Sequence, residues 1–247
     1  MAIYIAAHKA FVVPSEEGYI PLQVGAQGKE ALGYTADNTG EHISEKNPHY
    51  CELTGLYWIW KNTADEYKGL VHYRRYFRGK HGRLTQAEAR DLLSRYDVVL
   101  PRPEYLRESA YEEFCLHSGH EKDLVSLRRA VETVDAAVLP AYDKVMSGNC
   151  LSLYNMLITS GEEFDAYCAW LFAVLGELEK AVDMTGYTPY QQRLYGFLSE
   201  RLLNVWVAHR NLSVYYLPVF NTEQTLSGWL RLALRRQKNR LLFALKK

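Results

Sequence analysis

The strongest chemical signal in the chain is Gly69-Leu70-Val71-His72-Tyr73-Arg74-Arg75-Tyr76-Phe77. A short apolar strand ends there and at once presents His72, Tyr73, Arg74 and Arg75. Ligands of open α/β sheets sit beyond the carboxyl ends of strands. A guanidinium is a planar fork that matches phosphate oxygens. Two arginines in a row face different directions, so the pair suits either a phosphate-bearing ligand or a structural bridge between helices. A second polar segment runs from Asp37 to Pro48, with Asp37, Asn38, Lys46 and Asn47 as its ligand-capable groups. Asn47-Pro48 has the form of an N-cap followed by a first-turn proline. Free N–H groups and the helix dipole at such a point favour an anion such as a diphosphate. The plainer alternative is a solvated loop.

Three further groups could take part in chemistry. His117 and His120, with Asp123, look superficially like metal ligands, but no further His or Cys stands near them in a tight pattern. They read instead as loop histidines touching substrate or capping a helix, and no metal site is assigned. Asn155 is the one polar residue in the apolar run Leu153–Ile158, so it must satisfy a neighbouring loop or bind sugar hydroxyls. Arg193, Gly196, Glu200 and Asn204 fall on one helical face separate from the apolar stripe. Glu200, beside Arg201, could serve as a general base or as an ion-paired helix residue. There is no P-loop, GxGxxG, GxSxG, HExxH or Asp-x-Asp in the chain.

The elements that must position these groups alternate in type. Strands are expected at Ile3–Ala6, Gly69–His72, Asp97–Leu100, Leu153–Ile158 and Val214–Val219, with helices between most of them. That order predicts a mostly parallel sheet with covering helices. Leu53, Leu56, Tyr57 and Trp60 repeat at helical spacing after Asn47-Pro48. Thr85-x-x-Glu88, Ser160-x-x-Glu163 and Thr188-x-x-Gln191 are capping boxes, the last opening a helix expected from Pro189 to about His209. Residues 14–46 and 101–118 read as loops.

Composition narrows the function classes. The chain has 247 residues, 48% hydrophobic, enough for one packed α/β domain. Its formal net charge is zero, which argues against an electrostatic nucleic-acid binder. Seven of the 29 basic residues lie between Gln224 and Lys247, where there is no acid. That stretch, with Trp229, Leu230, Leu232 and Leu234, predicts a basic amphipathic helix suited to an anionic membrane surface, a disordered tail being the alternative. Cys51, Cys115, Cys150 and Cys168 are scattered and form no CxxC, and no apolar run approaches the ~20 residues that span a bilayer. A cytoplasmic protein is expected, peripheral to the inner face of the plasma membrane through its tail. Nineteen tyrosines against eight phenylalanines favour half-buried clefts, where a ring is dry and its hydroxyl wet.

Several long strings resemble a bacterial family labelled only as a domain of unknown function, whose members sit among capsule and O-antigen synthesis enzymes. They are Asp37 to Gly40 and Ile43 to Pro48, Tyr50-Cys51-Glu52-Leu53-Thr54, Tyr57 to Asn62, Gly69 to Phe77, Tyr154-Asn155-Met156, Gly196-Phe197, and Ser199 to Leu203. The resemblance spans roughly residues 3–208. It implies an α/β, GT-A-like (Rossmann-like) glycosyltransferase fold over residues 1–222, followed by the basic tail 223–247. It implies transfer of a hexose, with galactofuranose or galactose as the lean, from a UDP-sugar to a lipid-linked surface-polysaccharide acceptor. Under that reading the nucleotide lies over the end of the first strand, at Ala7, His8 and Lys9. Asp37, Asn38, Lys46, Asn47, His72, Arg74 and Arg75 hold the diphosphate. Asn155 and Arg193 face the donor, Glu200 is the base, and His117 and His120 lie near the acceptor. Many GT-A enzymes hold a divalent metal through Asp-x-Asp. Here His72-Tyr73-Arg74 takes that place, and cationic side chains could neutralise the leaving diphosphate as a metal would. The alternatives are a sugar nucleotidyltransferase and a non-catalytic carbohydrate-binding module.

Overall fold

The computed structural model describes residues 1–223, 234–235 and 237–243. The expectation of a basic amphipathic tail falls mainly on residues 224–233, 236 and 244–247, which lie outside the described residues. The elements run β1 (Ala2–Ala7), β2 (Tyr19–Gln23), β3 (Thr35–Ala36), α1 (Asn47–Tyr50), α2 (Leu53–Asn62), β4 (Tyr67–His72), β5 (Arg75–Phe77), α3 (Gln86–Leu93), β6 (Val98–Pro101), β7 (Glu104–Tyr105), α4 (Ala110–His117), α5 (Glu121–Asp135), α6 (Leu139–Ser147), β8 (Cys150–Leu151), β9 (Leu157–Ser160), α7 (Gly161–Glu179), α8 (Leu194–His209), β10 (Val214–Leu217) and β11 (Val219–Asn221).

The chain divides into two compact units that interleave in sequence. The first holds residues 1–102, 154–169 and 212–222. Its sheet has the order β10-β6-β9-β4-β1-β2-β3. Parallel pairing joins β10 to β6, β4 to β1, β1 to β2 and β2 to β3, while β9 runs antiparallel to both β6 and β4. Every strand of that row except β9 therefore points the same way. Their carboxyl ends line one edge of the sheet, and the chain enters β9 at that edge. From β1 the chain moves outward through β2 and β3, then returns to the opposite side of β1 as β4. The switch point of the topology thus lies between the ends of β1 and β4, the place where open α/β sheets open a ligand crevice. β5 pairs with β4 at a single position, His72 with Arg75, and then with β11, so a short ribbon leads from the end of β4 to the end of β10.

Apolar strands set this arrangement. All six residues of β1 are buried, as a central strand covered on both faces must be. Ile3, Ile5, Val71, Val99 and Ile158 pack with Phe77 and with Ala89 and Leu92 of α3. α3 starts with the full Thr85–Glu88 capping box expected from the sequence. α2 buries Leu53, Leu56 and Ile59.

The second unit holds residues 103–153 and 170–211, with the described residues among 223–243. α6 and α8 pack closely, and Trp170 stacks obliquely on Trp206 at 5.2 Å. Arg201 of α8 is only 2% exposed, donates to the Phe197 carbonyl, lies over the Phe114 ring and forms an ion pair with Glu113 of α4. Removing one partner of a buried pair strands a charge in low dielectric, at a cost of about 3 kcal/mol. Glu113→Ala should therefore lower stability by that amount in urea unfolding; an unchanged midpoint would show the pair to be dispensable.

Four sequence expectations need correction. The run Leu153–Ile158 becomes a strand only at Leu157, because Tyr154 and Asn155 take left-handed backbone conformations. The helix expected from Pro189 starts at Leu194, since the Thr188–Gln191 box closes a 3-10 turn over Gln191–Arg193. The run Val214–Val219 splits at Pro218, whose missing N–H ends the pairing of β10. Residues 14–46 and 101–118 are not simply loop: the first stretch holds β2 and β3, paired into the sheet beside β1, and in the second Ser109-x-x-Glu112 is a capping box that opens α4.

Candidate active site

The first unit collects polar side chains at the shared strand edge. His72 ends β4, and its Nε2 is 2.7 Å from the carbonyl oxygen of Tyr154. A carbonyl only accepts, so Nε2 carries the proton and Nδ1 keeps its lone pair. Burial, opposed by Glu52 and reinforced by Arg75 and Arg74, holds the His72 imidazole below its usual pKa. The unfolded chain therefore binds this proton more readily than the folded one. Stability should rise with pH up to the ordinary histidine range near 6.5, and fall as pH drops below it. His72→Asn should flatten that part of a melting-temperature profile; an unaltered slope would show that other groups cause it.

Glu52 stands one residue ahead of α2. Its Oε1 accepts from the Asn155 side-chain amide at 2.7 Å. Its second carboxylate oxygen has no hydrogen-bond partner among the described residues. Cys51, Tyr154 and Asn155 are three of the four non-glycine residues with positive φ among the described residues, at 54°, 78° and 51°. All three flank the Glu52–Asn155 contact. Such conformations cost energy unless the surroundings enforce them, and they concentrate at functional sites. The Arg75 guanidinium lies 4.7 Å from the centre of the Tyr154 ring. Arg75 has no carboxylate partner among the described residues.

Tyr73 forms a platform beside this group. His8 meets its ring edge-on at 5.3 Å, Lys9 Nζ lies 5.1 Å from its centre and Arg74 5.7 Å. Phe11 closes another side at 6.0 Å. The end of β1 and the end of β4 thus meet around one aromatic ring.

The polar segment 37–48 behaves differently from expectation. Asp37 is wholly buried, and its carboxylate accepts from the Gly25 and Ala26 N–H groups and the Ser44 hydroxyl. It staples a loop and cannot face a diphosphate. Asn47 also braces: its side-chain amide donates to the Cys51 carbonyl at 2.7 Å and to the Thr54 hydroxyl at 3.2 Å. It thereby fixes the strained turn ahead of Glu52. The Asn47 helix is four residues long and its N-cap is Lys46, with no side-chain cap bond. Asn47 is thus the first residue of the helix rather than its N-cap, and its N–H already bonds the Ser44 carbonyl of a preceding 3-10 turn over Ser44–Lys46. Lys46 lies over the Tyr50 ring at 5.5 Å, and Asn38 is half-buried after β3. Ala7 is fully buried with its carbonyl bonded to Val24 N–H, so it frames the edge.

In the second unit, Glu200 is half-buried on α8, and its backbone carbonyl accepts from Asn204. Asn204 also bonds Ser152 in both directions. The neighbouring charge, Arg201, pairs with Glu113 of α4. His117 is exposed at the end of α4. His120 is the N-cap of α5: its N–H donates to Asp123, and its ring packs on Tyr187 at 4.8 Å. The Asp123 carboxylate also accepts from the Tyr187 hydroxyl. Arg193 is exposed, with its guanidinium 5.2 Å from the centre of the Phe197 ring. Among the described residues no three His, Cys, Asp or Glu side chains converge as metal ligands. A cavity of about 940 Å³ in this unit is lined by α4, α5 and α6 residues such as Tyr111, Arg128 and Tyr142, and by none of the expected site residues.

Sequence reasoning gave Glu52 no role. A glutamate in a first helical turn is ordinarily a dipole partner. Its place within the family-like string was the one signal available.

Residues 2–211 match the family described as a domain of unknown function, DUF4422. The chain belongs to the DUF4422 family. Its fold is similar to that of the WbbM bifunctional glycosyltransferase, solved as an apo structure, with a TM-score of 0.84 and 25% sequence identity. That similarity covers 90% of this chain and 45% of the other, so the chain spans less than half the length of the protein it matches. No curated protein sequence matches the chain. The DUF4422 chain has the GT-A-like α/β arrangement expected from its sequence, with six of the seven strands in its main row aligned. Among its described residues, no helix is long and apolar enough to cross a membrane.

Proposed function

We propose that this chain is a nucleotide-sugar-dependent glycosyltransferase that moves a hexose, galactofuranose or galactose, from a UDP-sugar to a lipid-linked surface-polysaccharide acceptor. The observation that carries the reading is the grouping of Arg74, Arg75 and a neutral His72 at the switch point of the sheet, beside a carboxylate held by strained backbone. The likeness to a glycosyltransferase fold supports it.

In this reading the nucleotide lies against His8, Lys9 and Tyr73, past the end of β1. Arg74 and Arg75 face the diphosphate, whose charge grows as the glycosidic bond breaks. Fixed cations aimed at developing charge need no reorganisation during reaction, and such groups are often the largest single contribution to rate. The acceptor hydroxyl attacks the anomeric carbon, the bond to the diphosphate breaks, and the hydroxyl proton passes to a carboxylate. Glu52 is the carboxylate that the first unit offers at this edge; Glu200, His117 and His120 of the second unit are the rival groups for acceptor activation. The basic tail would hold the chain beside an anionic membrane surface carrying the acceptor.

Incubation with UDP-sugars and a lipid-linked acceptor, with Mn²⁺ or with EDTA, tests the proposal. UDP release coupled to glycan extension is the expected result. Pyrophosphate formation would indicate nucleotidyl transfer instead. Glycan binding without turnover would make the chain a binding module.

A further inference from the structure

The ribbon of β5 and β11 carries a second cationic group at its far end. Arg78 follows β5 and donates its N–H to the Pro218 carbonyl, just past β10. Arg102, just past β6, donates its N–H to the Leu217 carbonyl. Arg75 and Arg78 are three positions apart, roughly 10 Å of extended chain. The edge therefore carries positive charge in two places.

The second place is a built cavity. Arg78, Gly79, Lys80, Gly82 and Phe220 line a space of about 290 Å³, near the lower end of the range for small-ligand pockets. The turn that shapes it is tightly specified. Gly79 N–H bonds the Gly82 carbonyl, and Arg78 and Arg83 bridge as an antiparallel pair. Gly82 has a φ of +145°, which L side chains rarely adopt. The Glu88 carboxylate accepts from the Lys80 and Thr85 N–H groups, so it fixes the turn's backbone. Arg83 is turned away to Glu16.

Charge pairing sets this group apart. In the first unit Arg83, Arg90 and Arg95 each have a carboxylate partner within 3.0 Å. Arg78 and Arg102 are exposed and have none among the described residues, while Lys80, also exposed, lies close enough to the Glu88 carboxylate to help hold it below its usual pKa. The Arg78 guanidinium rests near the Phe220 ring, 5.8 Å from its centre. An arginine without a carboxylate partner and an exposed lysine around a glycine-bounded cavity suit an oxyanion bearing several acceptor oxygens.

We infer that the Arg78–Lys80 cavity is a second phosphate site, and that it takes the phosphate group of the acceptor while Arg74 and Arg75 take that of the donor. This rests on the glycosyltransferase reading only for the name of its occupant. A phosphate held there would place a lipid-linked acceptor with its charged end on the ribbon, leaving the glycan free to reach the edge between β1 and β4.

Calorimetric titration of the full chain with geranyl diphosphate, geraniol and UDP tests it. Arg78→Ala/Lys80→Ala should weaken geranyl diphosphate binding by about tenfold or more, since charged hydrogen bonds are lost. UDP affinity should stay within about twofold in that variant and fall in Arg74→Ala. Geraniol should not bind. Equal loss of UDP and geranyl diphosphate in the double variant would mean one anion site rather than two, and would overturn the inference. So would unchanged geranyl diphosphate binding. Sedimentation with vesicles of phosphatidylcholine and phosphatidylglycerol separates the other source of phosphate. If the double variant loses vesicle binding but keeps geranyl diphosphate, the cavity reads membrane headgroups and the acceptor assignment fails. If the wild-type chain binds geranyl diphosphate through Arg78 and Lys80 but binds no UDP, the second site stands and the glycosyltransferase reading falls.

Discussion

Glu52→Gln is expected to lower kcat for sugar transfer by about 10²- to 10⁴-fold, the span a positioned general base contributes. KM for the nucleotide-sugar should change little, because the carboxylate acts on the acceptor hydroxyl. The substitution keeps the length of the side chain and leaves an oxygen able to accept from the Asn155 amide, so the fold around it should survive. Unchanged melting temperature with lost turnover would locate the defect in chemistry. Asn155→Ala should produce a smaller loss, since it frees the carboxylate to rotate without removing it. Glu200→Gln is the matched control. Should Glu200→Gln abolish turnover while Glu52→Gln retains it, proton transfer belongs to the second unit and Glu52 is a brace.

Arg74→Ala and Arg75→Ala are each expected to cost about 10²- to 10³-fold in kcat, as losing one group that stabilises developing charge does elsewhere. Arg75 should matter more for rate than for donor binding. It has no carboxylate partner among the described residues and is held by the Tyr154 ring, whose backbone carbonyl in turn anchors His72. Arg75→Lys should recover only part of the loss, because an ammonium cannot form the two parallel bonds of a guanidinium. Steady-state kinetics with a UDP-sugar check this. Full activity in both alanine variants would remove the cationic edge from the reaction.

Much of the fold is legible in the residues. The all-apolar β1, the His72-terminated β4 and the Thr85–Glu88 box announce themselves because each is local: a run of β-formers or a cap specifies its own conformation. The end of β4 could be named as a candidate site from the strand that stops and the arginines that follow. The roles of Asp37 and Asn47 could not. Their residue types suit ligand binding and loop bracing equally, and only the positions of Gly25, Ala26 and the Cys51 carbonyl, remote or strained in backbone, select bracing.

Sequence alone determined many of the element types, the α/β class and the family likeness, because periodicity, caps and long ordered strings depend on neighbours along the chain. The tertiary structure decided which of the polar residues are spent on structure and which stand at the strand ends. It brought Glu52 to Asn155, 103 positions apart, and turned Tyr154 and Asn155 out of the strand that the apolar run suggested. Partners that far apart are selected by the register of the sheet and the hand of its connections, and those are properties of packing rather than of any local string.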